Sequence, residues 1–167
     1  MSPEEPHWTL GADPATLFGG YLDFYRERSI EKVLALSEAA QRTSNLPTGW
    51  TPLELLNHLA HMERRWFVWG FLAEQVEEPL GDEVDGRWVV PSGREVSDVV
   101  TLLRATGERT RHVLAGHPLD EVAAVGGRFH QDPPTLAWIC FHVLQEYARH
   151  VGHLDIATEL AGGPTGE

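Results

Sequence analysis

The stretch Thr135-Leu136-Ala137-Trp138-Ile139-Cys140-Phe141-His142-Val143-Leu144-Gln145-Glu146-Tyr147-Ala148-Arg149-His150-Val151-Gly152-His153-Leu154 decides the fold. Its apolar residues Leu136, Ile139, Cys140, Val143, Leu144, Tyr147, Val151 and Leu154, with Ile156 and Leu160 beyond, return at the spacing of a long amphipathic helix. Pro133-Pro134-Thr135 opens the helix and Gly162-Gly163-Pro164 stops it. At about 100° per residue, His142, Glu146, His150 and His153 fall within roughly 80° of one another. One face of one helix thus gathers imidazoles and a carboxylate, where a solvated face would carry Glu with Lys or Arg.

Working outward, three more helices share this pattern. In the second, Thr51 caps, Pro52 takes the first helical position and Glu54 closes a capping box. Its stripe of Leu55, Leu56, Leu59, Met62, Trp66, Trp69 and Leu72 predicts a continuous helix to about Ala73. Glu54, His58, His61 and Arg65 share a narrow face of it. The first helix follows the Asp13-Pro14 start and runs to about Ala40, with Leu17, Tyr21, Phe24, Tyr25, Arg28, Val33, Leu34 and Leu36 inward. The third begins near Glu95 and carries Val96, Val99, Val100, Leu102, Leu103, Thr106 and Val113. Residues 77–95 and 116–134 read as long connections, with Trp88-Val89-Val90 a short strand or aromatic plug and Val122–Val125 extended. The expectation is one domain over residues 1–167, an all-α four-helix bundle with long crossover loops.

Composition narrows the partners. The chain has 25 acidic and 13 basic side chains and a net charge of −12. Such a surface repels phosphate backbones and anionic membranes, so neither nucleic acid nor membrane is expected as a partner. No apolar run approaches the roughly 20 residues that span a bilayer, and the acidic start Met1–Pro6 has no signal-peptide character. The single cysteine, Cys140, makes no internal disulfide, which suits a reducing cytoplasm. It lies on the apolar stripe and reads as core, as do Trp66, Trp69 and Trp138. Trp88 and Phe129 are expected as pocket walls, and Asp82, Glu83 and Asp85 as a solvated acidic loop.

Two helices that each present His and Glu inward are how bundles assemble metal sites. Imidazole with carboxylate suits zinc, nickel, manganese or non-haem iron, and two imidazoles plus one carboxylate leave positions open for water or substrate. Periodicity alone leaves His61, His142 and His153 as alternative ligands on the same faces. Arg149 is suited to holding an anionic group, and His61 and His153 to orienting a ligand or relaying a proton.

Trp50-Thr51-Pro52-Leu53-Glu54-Leu55-Leu56-Asn57-His58-Leu59-Ala60-His61 resembles the start of the second helix in the DinB/YfiT-like superfamily. The stretch from Leu136-Ala137-Trp138 to His150-Val151-Gly152-His153-Leu154-Asp155 resembles its last helix. The resemblance is to an actinobacterial DinB-like branch related to mycothiol-dependent maleylpyruvate isomerase and to mycothiol and bacillithiol S-transferases. It implies a DinB-like bundle in which His58, Glu146 and His150 hold a divalent metal, zinc before nickel, manganese or iron. It also implies mycothiol as a low-molecular-weight thiol co-substrate, a small-molecule electrophile as its acceptor, and a homodimer. The chain departs from the pattern at Val151, where a small or polar residue is expected, and in Ile156–Leu160, which lacks a basic residue. The function expected is metal-assisted activation of the thiol for S-transfer or isomerisation. The competing class is a non-catalytic, metal-binding or stress-associated bundle that acts by binding or dimerisation.

Overall fold

Asp13 accepts the backbone N–H of Thr16 at 3.0 Å and Pro14 follows it, so the chain enters α1 (Pro14–Leu34) already capped. The computed structural model describes residues 4–6 and 13–163, so most of the polar lead-in and the stop at Pro164 lie outside the described residues. Helix α1 ends at Leu34 rather than continuing to Ala40. Ser37 accepts from the N–H of Ala40 at 3.3 Å and starts a separate turn, α2 (Glu38–Gln41). The Gln41 side chain then donates back to the carbonyls of Val33 (3.2 Å) and Leu36 (3.1 Å), groups that a helix end leaves unpaired.

The capping box of α3 (Pro52–Arg64) forms as its residues require. Glu54 N–H donates to Thr51 Oγ1 at 3.1 Å, and Thr51 N–H donates to Glu54 Oε2 at 2.9 Å. Past Arg64 the chain widens into a π-helix over Arg65–Phe71, where an unbroken α-helix to Ala73 was expected. Carbonyls of its last turn, which a helix end leaves unpaired, hold a distant loop: Trp69 O accepts from Arg128 N–H (3.1 Å) and Phe71 O from Ala124 N–H (2.9 Å).

A two-residue hairpin follows, β1 (Glu83–Val84) against β2 (Arg87–Trp88), with Glu83 opposite Trp88. Asp85 and Gly86 turn it with φ of 51° and 74°, the left-handed pair that a tight hairpin needs. Helices α4 (Val96–Gly116) and α5 (Leu136–Leu160) complete the architecture. The extension expected at 122–125 amounts to one bridge, Val122 to Thr135.

Helices α1 and α3 each pack against both α4 and α5, giving an all-α bundle with α4 and α5 across the diagonal. From Pro52 to Glu63, every residue of α3 except Glu54 is buried. The buried residues of α1 are Phe18, Leu22, Arg26, Ser29, Ile30, Lys32 and Val33, not the stripe that its aromatic residues suggest, and Leu34 is exposed. Periodicity counts only apolar residues, and Arg26 is a core residue. Likewise Trp138, expected in the core, is 50% exposed, and Ile156 and Leu160 face outward. Among the described residues no helix is long and apolar enough to cross a membrane.

The Glu63 carboxylate is fully buried and accepts from Arg26 Nε (3.2 Å) and Nη2 (2.7 Å), Thr110 Oγ1 (2.6 Å) and Tyr147 Oη (2.5 Å). Burial works against the Arg26 cation, but the charge of Glu63 beside it raises its pKa above the ordinary value. Burial, then the negative charge of Glu63, push the Tyr147 hydroxyl well above the usual phenol range. Glu63→Ala leaves the buried Arg26 with only the part-exposed Asp23 as its counter-charge, and a loss of about 3–5 kcal/mol is expected. Thermal unfolding followed by circular dichroism checks it, with the midpoint dropping by roughly 10 °C or more.

Candidate metal centre

Burial on all sides of α3 means that each of its polar side chains needs a partner. Asn57 donates to Val89 O at 2.9 Å, and Val89 N–H donates to Asp82 O at 2.9 Å. These two bonds clamp the strap after β2 onto α3. The clamp lays the Trp88 ring 3.8 Å from the His58 ring and brings Asp82 beneath it.

Asp82 is fully buried, which corrects its reading as part of a solvated loop; its neighbours Glu83 and Asp85 are exposed. Its Oδ2 accepts from His58 Nδ1 at 2.8 Å and from Arg65 Nη2 at 3.1 Å, while Oδ1 takes Arg65 Nη1 at 2.5 Å. Burial raises the Asp82 pKa, but the hydrogen bonds from His58 and Arg65 outweigh it and keep the carboxyl below the usual range. An ionised carboxylate can only accept, so the His58 proton sits on Nδ1 and the Nε2 lone pair faces the bundle.

That lone pair faces α5. One ligand atom from each of His58, Glu146 and His150 lies within 4.8 Å of the others. Glu146 Oε2 is 3.9 Å from His58 Nε2 and 3.1 Å from His150 Nε2. The facing His58 imidazole, opposed by burial and helped by His150, draws the Glu146 carboxyl down to about 2. Burial, then the nearby His58, lower His150 to about 4, which keeps it neutral and able to donate a lone pair. His58 Nε2 is buried with no hydrogen-bond partner. An orphaned imidazole nitrogen beside a carboxylate is satisfied by a divalent cation, and the donor set fits one.

The other histidines part company. His61 is buried away from this cluster, beneath Gly81, where a methyl group on the glycine would meet its ring at 2.8 Å. Its Nδ1 faces Arg64 Nη2 at 3.3 Å, and burial lowers its pKa to about 4. His153 stands edge-on to Trp50, its ring 5.6 Å from that of His150. His142 instead joins Trp66 (4.2 Å) and stacks with Trp138 (5.2 Å, 6° between planes). Arg149 is exposed and lines a cavity of about 410 Å³ with Leu46, Pro47, Trp50, His153 and Ile156. Phe129 is half-buried against Trp66. Burial pushes the Cys140 thiol up to about 12, so it is an inert core residue.

Sequence reasoning missed Asp82, Arg65 and Trp50. Only Arg65 carried a signal, its place on the narrow face that the helical repeat gives it with His58.

A helical bundle that gathers two imidazoles and a carboxylate between its second long helix and its last has the architecture of the DinB-like proteins. The mycothiol-S-transferase family model matches residues 17–163, and the chain belongs to that DinB-like family. No curated protein and no solved structure gives a match. Membership implies a low-molecular-weight thiol as partner.

His61 and His150 are both held neutral, with pKa values near 4 against an ordinary 6.5. A base with a depressed folded pKa destabilises the fold once pH falls below its unfolded value, until both states are charged. Chelator-treated protein is therefore expected to lose thermal stability between about pH 6.5 and pH 4. Replacing both residues by Gln should flatten that segment of the stability profile, read by scanning calorimetry.

Proposed function

We propose that the chain is a metal-dependent enzyme that activates mycothiol or a similar small thiol for transfer to an electrophile. The observation that carries this is the buried His58–Glu146–His150 cluster, with His58 Nε2 unpartnered and Nδ1 tied to Asp82. His58, Glu146 and His150 are the residues that would hold the ion, with zinc first among the candidates. A bound divalent ion lowers the pKa of a thiol, so that the nucleophilic thiolate is present at neutral pH.

The chain's own groups supply the rest. Asp82 fixes the His58 tautomer and ring angle, and Arg65 neutralises Asp82 in turn, which leaves the Glu146 carboxylate as the charge that a cation would answer. Trp88 against His58 and Trp50 against His150 (5.8 Å) exclude water. Arg149 and His153 line the cavity on the far side of Trp50 and hold the polar body of the thiol there. We assign the thiol-proton relay to His153, whose ring is 5.6 Å from that of His150, and the seating of the loop at Gly81 to His61. The thiol loses its proton, sulfur bonds to the electrophilic carbon, and the leaving group departs with its electron pair. Family membership supports the thiol; the cluster supports the ion.

Protein purified without a tag or chelator is expected to contain about one divalent ion per chain by elemental analysis. His58→Ala and His150→Ala should each abolish tight binding, and retention of stoichiometric metal in both would overturn the site. Asp82→Asn should weaken affinity by about 10- to 100-fold in a competition titration with a chelator. Helicity should survive chelation, because the core of Leu22, Leu56, Leu103 and Leu154 does not pass through the site. Mycothiol-dependent consumption of a chlorobimane probe, lost in His150→Ala, tests the reaction.

A further inference from the structure

The flank of Glu146 opposite Trp50 is occupied by residues that the thiol chemistry does not use. The Arg128 guanidinium lies over the Trp66 ring at 4.3 Å. His142 rests on Trp66 and stacks with the half-exposed Trp138, and one helical turn further along α5 is Glu146. This is an aromatic wall with a cation at its edge, beside the most accessible member of the candidate metal cluster: the Glu146 side chain is 15% exposed, against 4% for His58 and His150.

Arg128 is unlike the buried arginines. Arg26 is paired with Glu63, and Arg65 with Asp82. Arg128 is half-buried, and among the described residues no carboxylate pairs with it. Burial, with added repulsion from Arg65, lowers its pKa below the ordinary value. The protein holds this side chain in place through the backbone: Arg128 N–H donates to Trp69 O, and Gly127 packs so closely that a methyl group would meet that carbonyl at 2.1 Å. In a chain of net charge −12, a fixed, partly desolvated cation without a counter-charge is a local attractor for anions. A guanidinium matches a carboxylate in two parallel hydrogen bonds, and the open face of Trp138 matches a flat ring.

We propose that Arg128, Trp66, Trp138 and His142 form the subsite for the electrophilic co-substrate, and that this co-substrate is a planar, conjugated or aromatic carboxylate. This deepens the thiol-transfer reading and rests on it. The carboxylate sits on Arg128 and the ring covers Trp138, which brings the reactive carbon toward Glu146 while the thiol enters from the Trp50 side.

Binding of two unreactive probes tests the subsite without turnover: 3,5-dinitrobenzoate and the neutral 1,3-dinitrobenzene, each followed by quenching of tryptophan fluorescence. The full chain is used as purified and again after chelation. The carboxylate is expected to bind about tenfold tighter than the neutral probe in both preparations. Arg128→Gln should bring that ratio to about one, Arg128→Lys should keep part of it, and Trp138→Leu should weaken both probes. Unchanged circular dichroism spectra confirm that each variant is folded. Equal binding of the two probes by the unaltered chain, or a ratio that Arg128→Gln leaves intact, overturns the proposal. Because the ratio is read in chelated protein, it fails or holds independently of the metal content, which decides the thiol-activation reading by itself.

Discussion

One buried carboxylate organises the bundle. Glu63 on α3 takes two hydrogen bonds from Arg26 on α1, one from Thr110 on α4 and one from Tyr147 on α5, so all four long helices meet at two oxygen atoms. Apolar burial is non-directional, whereas a desolvated ion with four donors tolerates one arrangement. Gly107 shows how close that arrangement is, since a methyl group there would meet the Arg26 guanidinium at 2.5 Å. The Tyr147 bond sets the rotation of α5, and Glu146 and His150 flank Tyr147 on that helix. The candidate metal cluster therefore inherits its geometry from a network that contains none of its members.

The same logic explains the polar content of α3. A helix buried on every side has no solvent to satisfy Asn57, His58 or Glu63, and each is answered by a different element: the strap after β2, the loop before β1, and α1. Polar groups in such a helix are not decoration on an amphipathic face. They define which distant segments fold against it, and they do so with directional bonds that apolar contacts lack.

Much of this was legible in the amino acids. The capping residues Asp13, Thr51, Glu54 and Thr135 announce helix starts because their chemistry is local. The faces holding His58, and Glu146 with His150, follow from the helical repeat. What stayed hidden depends on pairing across the chain. Arg26 and Glu63 are 37 residues apart, and His58 and Asp82 are 24 apart. No periodicity marks Arg26 as core or Asp82 as buried, because each is buried only through its partner. The π-helix was invisible for a related reason: the apolar repeat of Trp66, Trp69 and Leu72 reads the same for either winding, and the bonds from its last carbonyls run to residues 124–128, more than fifty positions away.

That widened turn has a consequence for how the chain can vary. The segment carrying Arg128 is located by two main-chain carbonyls, at Trp69 and Phe71, and by the absence of a side chain at Gly127. Backbone bonds are indifferent to side-chain identity, and Ala124, Val125 and Gly126 are exposed. Substitutions can therefore accumulate at Ala124 and Val125 without moving the arginine, provided Gly127 and the positive-φ Gly126 (φ 109°) are kept. The π-helix acts as a docking rail that separates where the loop sits from what it displays. A family built this way can change the group presented beside Glu146 by altering one loop position, while the core that aims the histidines is left untouched.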